Sequence, residues 1–141
     1  PGADGFPAPF SPGVFTGECL CGAGTGKEGA YRLEEALSGK EAFNCPELGV
    51  LDTYHVDHEE SRTLPMFIPG VKIVDFKLCM DDVTWQTLRV MKQLGMSRKY
   101  RVRVGDVEVS PRDVAGSLMP QPKALPVPIP GQPAVAMRAR G

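Results

Sequence analysis

Proline placement constrains this chain more than any other feature. Four of its fourteen prolines (Pro1, Pro7, Pro9, Pro12) fall in the first dozen residues, and seven (Pro111, Pro120, Pro122, Pro126, Pro128, Pro130, Pro133) fall in the last thirty-one. Proline fixes φ and has no backbone N–H, so both ends resist helix and central strand. The sequence therefore predicts an extended N-terminal arm over residues 1–17. A single compact domain follows over 18–141, with a proline-rich segment at 111–133. An arm that cannot fold on itself must find its partner elsewhere.

The 141 residues are enough for one ordinary core, and 42% of them are hydrophobic, which suits a globular chain. A formal net charge of −1 gives no global pull toward nucleic acid or membrane. No run reaches the roughly 18–20 apolar residues of a membrane span. The first residues lack the basic and apolar regions of a signal peptide, so the chain reads as a cytosolic product that has lost its initiator Met, with Cys19, Cys21, Cys45 and Cys79 as reduced thiols.

Local patterns predict a β-rich middle. Gly22–Gly29 reads as a glycine-rich loop, and residues 30–43 fit a short helix or, preferably, a strand. Alternation of Leu48, Val50, Tyr54 and Val56 predicts a strand over 47–57. Residues 58–70 read as a long polar loop ending in the type II turn signal Pro69-Gly70. Residues 71–80 alternate with one slip at Val74-Asp75, as a β-bulge would. Trp85, Leu88, Met91 and Leu94 at helical spacing, with Asp81 or Asp82 as N-cap and Gly95 as C-cap, predict a helix over 82–95. Strict alternation over 99–104, the turn Gly105-Asp106, and Val107 and Val109 predict a hairpin. Residues 134–141 alternate weakly and could close the sheet. The expected fold is mainly β: a sandwich or partly closed barrel with one flanking helix.

Three motifs invite chemistry and each fails a requirement. Cys21-Gly22-Ala23-Gly24-Thr25-Gly26-Lys27-Glu28 approximates a phosphate loop, yet has Cys21 for the first glycine and Glu28 where Ser or Thr should follow the lysine. His55, Asp57 and His58 approximate a metallo-hydrolase signature, but the chain has only two histidines. The four cysteines lack the paired spacing of a zinc knuckle. The reading is a chain with no catalytic residue, no metal and no cofactor. Charge is segregated instead. Glu47, Asp52, Asp57, Glu59 and Glu60 occupy 47–60 without a Lys or Arg, whereas Arg98, Lys99, Arg101 and Arg103 occupy 98–103 without an acid. Opposed patches suit head-to-tail contact between copies.

Over residues 47–141 the order of segments resembles siphophage tail tube proteins (major tail proteins) and the related tubes of gene transfer agents. The resemblance is carried by Leu51-Asp52-Thr53-Tyr54-His55-Val56-Asp57; by Arg62 and Phe67-Ile68-Pro69-Gly70-Val71; by Asp81-Asp82-Val83-Thr84-Trp85-Gln86-Thr87-Leu88; and by Tyr100-Arg101-Val102-Arg103-Val104. Val114-Ala115-Gly116-Ser117 resembles a small-residue strand, and Ala134–Gly141 a closing strand. The resemblance implies a structural virion protein, not an enzyme. It implies hexameric rings stacked head to tail into a DNA conduit, in contact with terminator, tape measure and baseplate proteins, with DNA in transit and no membrane partner. Candidate inter-subunit contacts are Phe6 and Phe10 on the arm, and Glu59, Glu60, Arg62, Phe67 and Ile68 on the 58–70 segment. The alternatives are another virion joint (tail terminator, baseplate ring or capsid decoration) or a small metal-dependent hydrolase using His55, Asp57 and His58.

Overall fold

A computed structural model describes residues 10–28, 30–46 and 48–120. Phe6 and the expected closing strand over 134–141 lie outside the described residues. Within them the fold is mixed α/β, with small antiparallel sheets of three, three and two strands and four helices in about equal measure. The expected mainly-β fold with a single helix is therefore corrected: three further helices occupy segments read as arm, loop and proline-rich connection.

Helix α1 (Pro12–Leu20) replaces the inner part of the expected arm. Pro12 sits at the first helical position, where its missing N–H is one the helix would leave unpaired anyway. Phe15, Thr16, Cys19 and Leu20 of α1 are buried, and Thr16 Oγ1 donates to the Pro12 carbonyl at 2.8 Å. Phe10 packs edge-on against Phe15, with ring centroids 5.5 Å apart.

The first sheet runs β2 (Ala30–Glu34), β1 (Ala23–Lys27), β5 (Ile73–Val74), and helix α2 (Glu60–Phe67) packs on it. Most of the glycine-rich loop expected over 22–29 is thus a central strand, buried from Ala23 to Gly26. Its glycines are explained by close approach. A Cβ on Gly24 would meet the Tyr31 ring at 2.7 Å, and one on Gly26 would run into the Pro65 ring of α2. The expected 58–70 loop is helical from Glu60 despite Pro65. Only after Ile68 does the chain turn, with Val71 N donating to the Ile68 carbonyl at 3.4 Å and Gly70 at φ 80°, as a type II turn requires.

The second sheet runs β3 (Glu41–Cys45), β4 (Gly49–His55), β6 (Lys77–Cys79). The parity slip at Val74-Asp75 is not a bulge: β5 pairs with β1 in the first sheet and β6 with β4 in the second, so the chain changes sheets there. Helix α3 (Asp82–Gln93) follows its sequence signals, with the Asp81 carboxylate accepting from Thr84 N at 2.8 Å and Gly95 at φ 77°. Trp85 stacks on Tyr54 at 5.4 Å and donates to the Leu37 carbonyl at 3.4 Å. The hairpin β7 (Val102–Val104) and β8 (Val107–Val109) has the expected two-residue turn.

Helix α4 (Pro111–Leu118) corrects the start of the expected proline-rich segment, whose residues 121–133 lie outside the described residues, and the small-residue strand at 114–117. Ser110 caps it, accepting from Asp113 N at 3.4 Å, and Pro111 again opens the first turn. Helix α1 packs between α3 and α4. One core gathers Phe15, Cys19, Leu20, Leu37, Tyr54, Val56, Met80, Leu88 and Met119. The N-terminal helix is thereby part of the domain rather than an appendage to it.

Candidate functional site

A cleft of about 290 Å³ opens where α1, the exit of β4, the start of α2, the lead-in to β7 and α4 converge. Eight charged or titratable side chains line it: Glu18 from α1 and Cys21 just after it, Asp57, His58 and Glu59 after β4, Arg62 from α2, Lys99 before β7, and Arg112 from α4. Backbone bonds pin this convergence. Asp57 N donates to the Glu18 carbonyl at 2.9 Å, and Arg112 N donates to the Arg98 carbonyl at 3.2 Å.

Asp57 is held from two sides. Gly24 N donates to its Oδ1 at 3.3 Å, and Arg62 Nη2 donates to both its oxygens at 3.1 and 3.2 Å. The Asp57 carboxylate raises the Arg62 pKa further above its ordinary value, and Arg62 also lies over the Tyr31 ring. His58 stacks on Phe76, with ring centroids 4.0 Å apart, and its Nδ1 pairs with the Glu60 carboxylate. Glu60 is held below the usual carboxylate range, first by a backbone hydrogen bond and then by His58. Glu18 is pushed the other way: burial raises its pKa, His58 opposes that, and Glu59, Asp57 and Glu60 add to it. Arg112 Nη1 lies 3.6 Å from Cys21 Sγ. Among the described residues no carboxylate makes an ion pair with Lys99 or Arg112, so both cations keep their capacity for an anionic ligand. Chemically the cleft brings together cations that can hold an anion, carboxylates that can hold a cation, and the imidazole of His58.

The segregated charges noted in the sequence meet here within one chain. Lys99 of the basic segment shares the cleft with Asp57, His58 and Glu59 of the acidic one. Another member of the acidic segment, Asp52, bridges to Lys40 at 2.8 Å. The candidate contact residues scatter. Arg62 serves Asp57, Glu60 serves His58, and Glu59 lies at the cleft rim 3.7 Å from His58 Nδ1. Met66, Phe67 and Ile68 stand exposed at the end of α2, with Phe67 at 76% of its free area. Glu18, Phe76, Lys99 and Arg112 were not among the sequence candidates.

The tempting motifs come apart. His55 Nε2 turns to Asp75 at 3.1 Å, away from Asp57 and His58, so the hydrolase trio does not converge. His58, Glu59 and Glu60 place three donor atoms within 4.8 Å of one another, but His58 Nδ1 and Glu60 are already paired. The cysteines form no ligand cluster among the described residues, and burial pushes the Cys19 thiol up to about 12. The phosphate-loop look-alike presents its Gly24 N–H to a carboxylate, which would repel a phosphate.

No protein-family profile matches the chain. Over 136 residues, 96% of its length, it is 24% identical to the carboxyaminopropylagmatine dehydrogenase of Synechocystis sp.. The chain spans about a third (34%) of the length of that curated relative.

Proposed function

We propose that this chain is the substrate-side part of a dehydrogenase-type protein, and that the cleft between α1, α2 and α4 binds a small molecule bearing both a carboxylate and an amine. The observation that carries this reading is the presence, in one cleft, of Lys99 and Arg112, which among the described residues pair with no carboxylate, together with the carboxylate Glu18. A zwitterion laid across it satisfies both signs at once, and an arginine fork suits a carboxylate especially well. The relative supports the direction, since its name joins carboxy and amino groups in what it dehydrogenates. A dehydrogenase also needs a bound hydride acceptor. The described residues do not fit one: the glycine-rich stretch is a central antiparallel strand with α2 against Gly26 and the Tyr31 ring against Gly24, not a strand-to-helix turn. This chain's share is therefore recognition.

Proton NMR of the two histidines tests the reading directly. His58 lines the cleft and His55 faces Asp75 outside it, so one chain carries both reporter and control. Titration with small aminocarboxylates should move the His58 ring protons and leave those of His55 in place. Arg112→Ala should abolish the effect. Equal movement of both, or of neither, would rule out the cleft as the binding site.

A second reading keeps the self-assembling structural subunit of tail-tube type. It is favoured by the exposed apolar end of α2, Met66, Phe67 and Ile68, which a neighbouring copy could cover. It would need the two three-stranded sheets to act as the layers of a sandwich within the assembly. Electron microscopy of the purified protein separates the readings: filaments or stacked rings favour the tube, discrete particles the dehydrogenase part.

A further inference from the structure

We infer that the outer edge of β2 is a self-pairing surface, on which a second copy of this chain adds its own β2 antiparallel across a two-fold axis. The edge is open. β2 is the end strand of its sheet, and all five of its residues are exposed, Leu33 at 68%. Exposed edges of this kind are templates for another strand unless charge, proline or a covering element blunts them. β2 carries no proline, and it presents Tyr31 and Leu33 alternating with Arg32 and Glu34.

The ladder fixes which residues can pair outward. Lys27 of β1 pairs with Ala30 of β2, and the register continues through Thr25 with Arg32 and Ala23 with Glu34. In an antiparallel pair hydrogen-bonded partners alternate, so Ala30, Arg32 and Glu34 bond inward to β1. Tyr31 and Leu33 then turn their N–H and C=O groups outward. The Gly24 N–H, opposite Leu33, indeed points away from β2 and reaches Asp57.

Three symmetric registers engage those outward groups, centred on Tyr31, Arg32 or Leu33, and centring on Tyr31 sets Arg32 against Ala30 and gains no charge pair. Centring on Arg32 would set Arg32 of each copy against its own counterpart, like charge on like. Centring on Leu33 sets Leu33 against Leu33 as a hydrogen-bonded pair and Arg32 against Glu34 on both sides of the axis. Directly opposed unlike charges stabilise a ladder and like charges destabilise it, so sequence and topology together select the register centred on Leu33. Among the described residues neither Arg32 nor Glu34 makes an ion pair within its own chain, which leaves both free for the partner. The occupant is thus a second copy rather than an unrelated strand, because the edge is complementary to itself. This inference does not depend on what the cleft binds.

Sedimentation equilibrium of the 141-residue chain over a wide concentration range tests it. The wild type should dimerise reversibly. Arg32→Glu alone and Glu34→Arg alone should each weaken the dimer about tenfold, since each change acts twice across the axis. The double exchange should restore affinity to within about threefold of wild type. Both positions are exposed, so thermal melts of the single variants should match the parent and separate lost pairing from lost folding. A wild type that stays monomeric would overturn the inference. So would a dimer indifferent to the charge exchange, or one lost instead on Phe67→Ala.

Discussion

His58 lies flat on Phe76, with ring centroids 4.0 Å apart and planes 12° from parallel. The imidazole is thereby clamped between an aromatic face and the Glu60 carboxylate at its Nδ1. The two residues belong to different strand ends, one just past β4 and the other just before β6. The sheet switch at Val74-Asp75 is what carries Phe76 under the cleft.

Removing that face should loosen the site before it unfolds the chain. Phe76 is half-buried, so Phe76→Ala should destabilise by about 2 kcal/mol, below the usual range for a fully buried phenylalanine. The His58 ring protons should shift toward values of a solvated imidazole while those of His55 hold. A denaturation midpoint equal to wild type, with unchanged His58 resonances, would show that the stacking positions nothing.

Gly26 is where α2 rests on the first sheet, and a Cβ there would collide with the Pro65 ring and sit 3.4 Å from the Ser61 carbonyl. Gly26→Ala should therefore cost about 1–3 kcal/mol by overpacking a site that backbone partly lines. The loss should be visible in chemical denaturation. A neutral result would mean that α2 is not seated as described.

Much of this architecture is legible in local signals, and the failures have a common physical cause. α3 and the hairpin each carry period, cap and turn residues that agree with one another, and agreement between levels is what makes a segment readable. α1 and α4 do carry a start signal, Ser11-Pro12 and Ser110-Pro111, with proline where a first turn accepts it. The surrounding prolines obscure that signal, because proline reads as a breaker everywhere except at this one position. α2 buries Ser61 fully and half-buries Leu64 and Pro65. The spacing is helical, but two of those three residue types do not register as apolar. In β1 the alternate glycines mark a flat face, Gly24 under the Tyr31 ring and Gly26 under α2, yet taken singly they read as a loop. The cleft was half visible as acidic and basic segments. Their meeting depends on contacts roughly forty residues apart in sequence, which no local pattern encodes.

Helix α3 offers a sharp internal comparison. Leu88 is fully buried, whereas Leu94, at the same helical spacing, is 67% exposed beyond the last turn. Leu88→Ala should cost about 2–5 kcal/mol. Leu94→Ala should stay within about 0.5 kcal/mol of wild type. Similar losses for both in urea melts would place Leu94 in the core and contradict the described end of the helix.

The thiols should react in an order set by burial. Cys19 and Cys45 are buried, Cys21 is half-buried and Cys79 is exposed. Burial, with the Glu18 charge adding to it, pushes Cys19 up to about 12, which leaves almost no thiolate at neutral pH. Timed alkylation read by mass spectrometry should label Cys79 first and Cys21 more slowly. Cys19 and Cys45 should be labelled only under denaturing conditions. Early labelling of Cys19 would show that α1 detaches from the core on the timescale of the reaction.

Glu18 should trade stability for function. Burial raises its pKa above the ordinary 4.5, and the neighbouring Glu59, Asp57 and Glu60 add to the rise that His58 only partly offsets. A carboxyl whose pKa is higher folded than unfolded binds its proton more tightly in the fold. Its ionisation therefore subtracts stability as pH rises through that interval, and the full penalty is present at neutral pH. Glu18→Gln removes the penalty and should raise Tm at pH 7, an advantage that fades as pH falls toward 4. The same change takes away the carboxylate proposed to receive an amine, so aminocarboxylate titration should no longer move the His58 ring protons. Calorimetry at pH 7 and pH 4, run beside that titration, checks both halves. A Gln variant less stable than wild type at pH 7 would mean that Glu18 is a structural partner of His58, and the case for it as a ligand-binding carboxylate would fall.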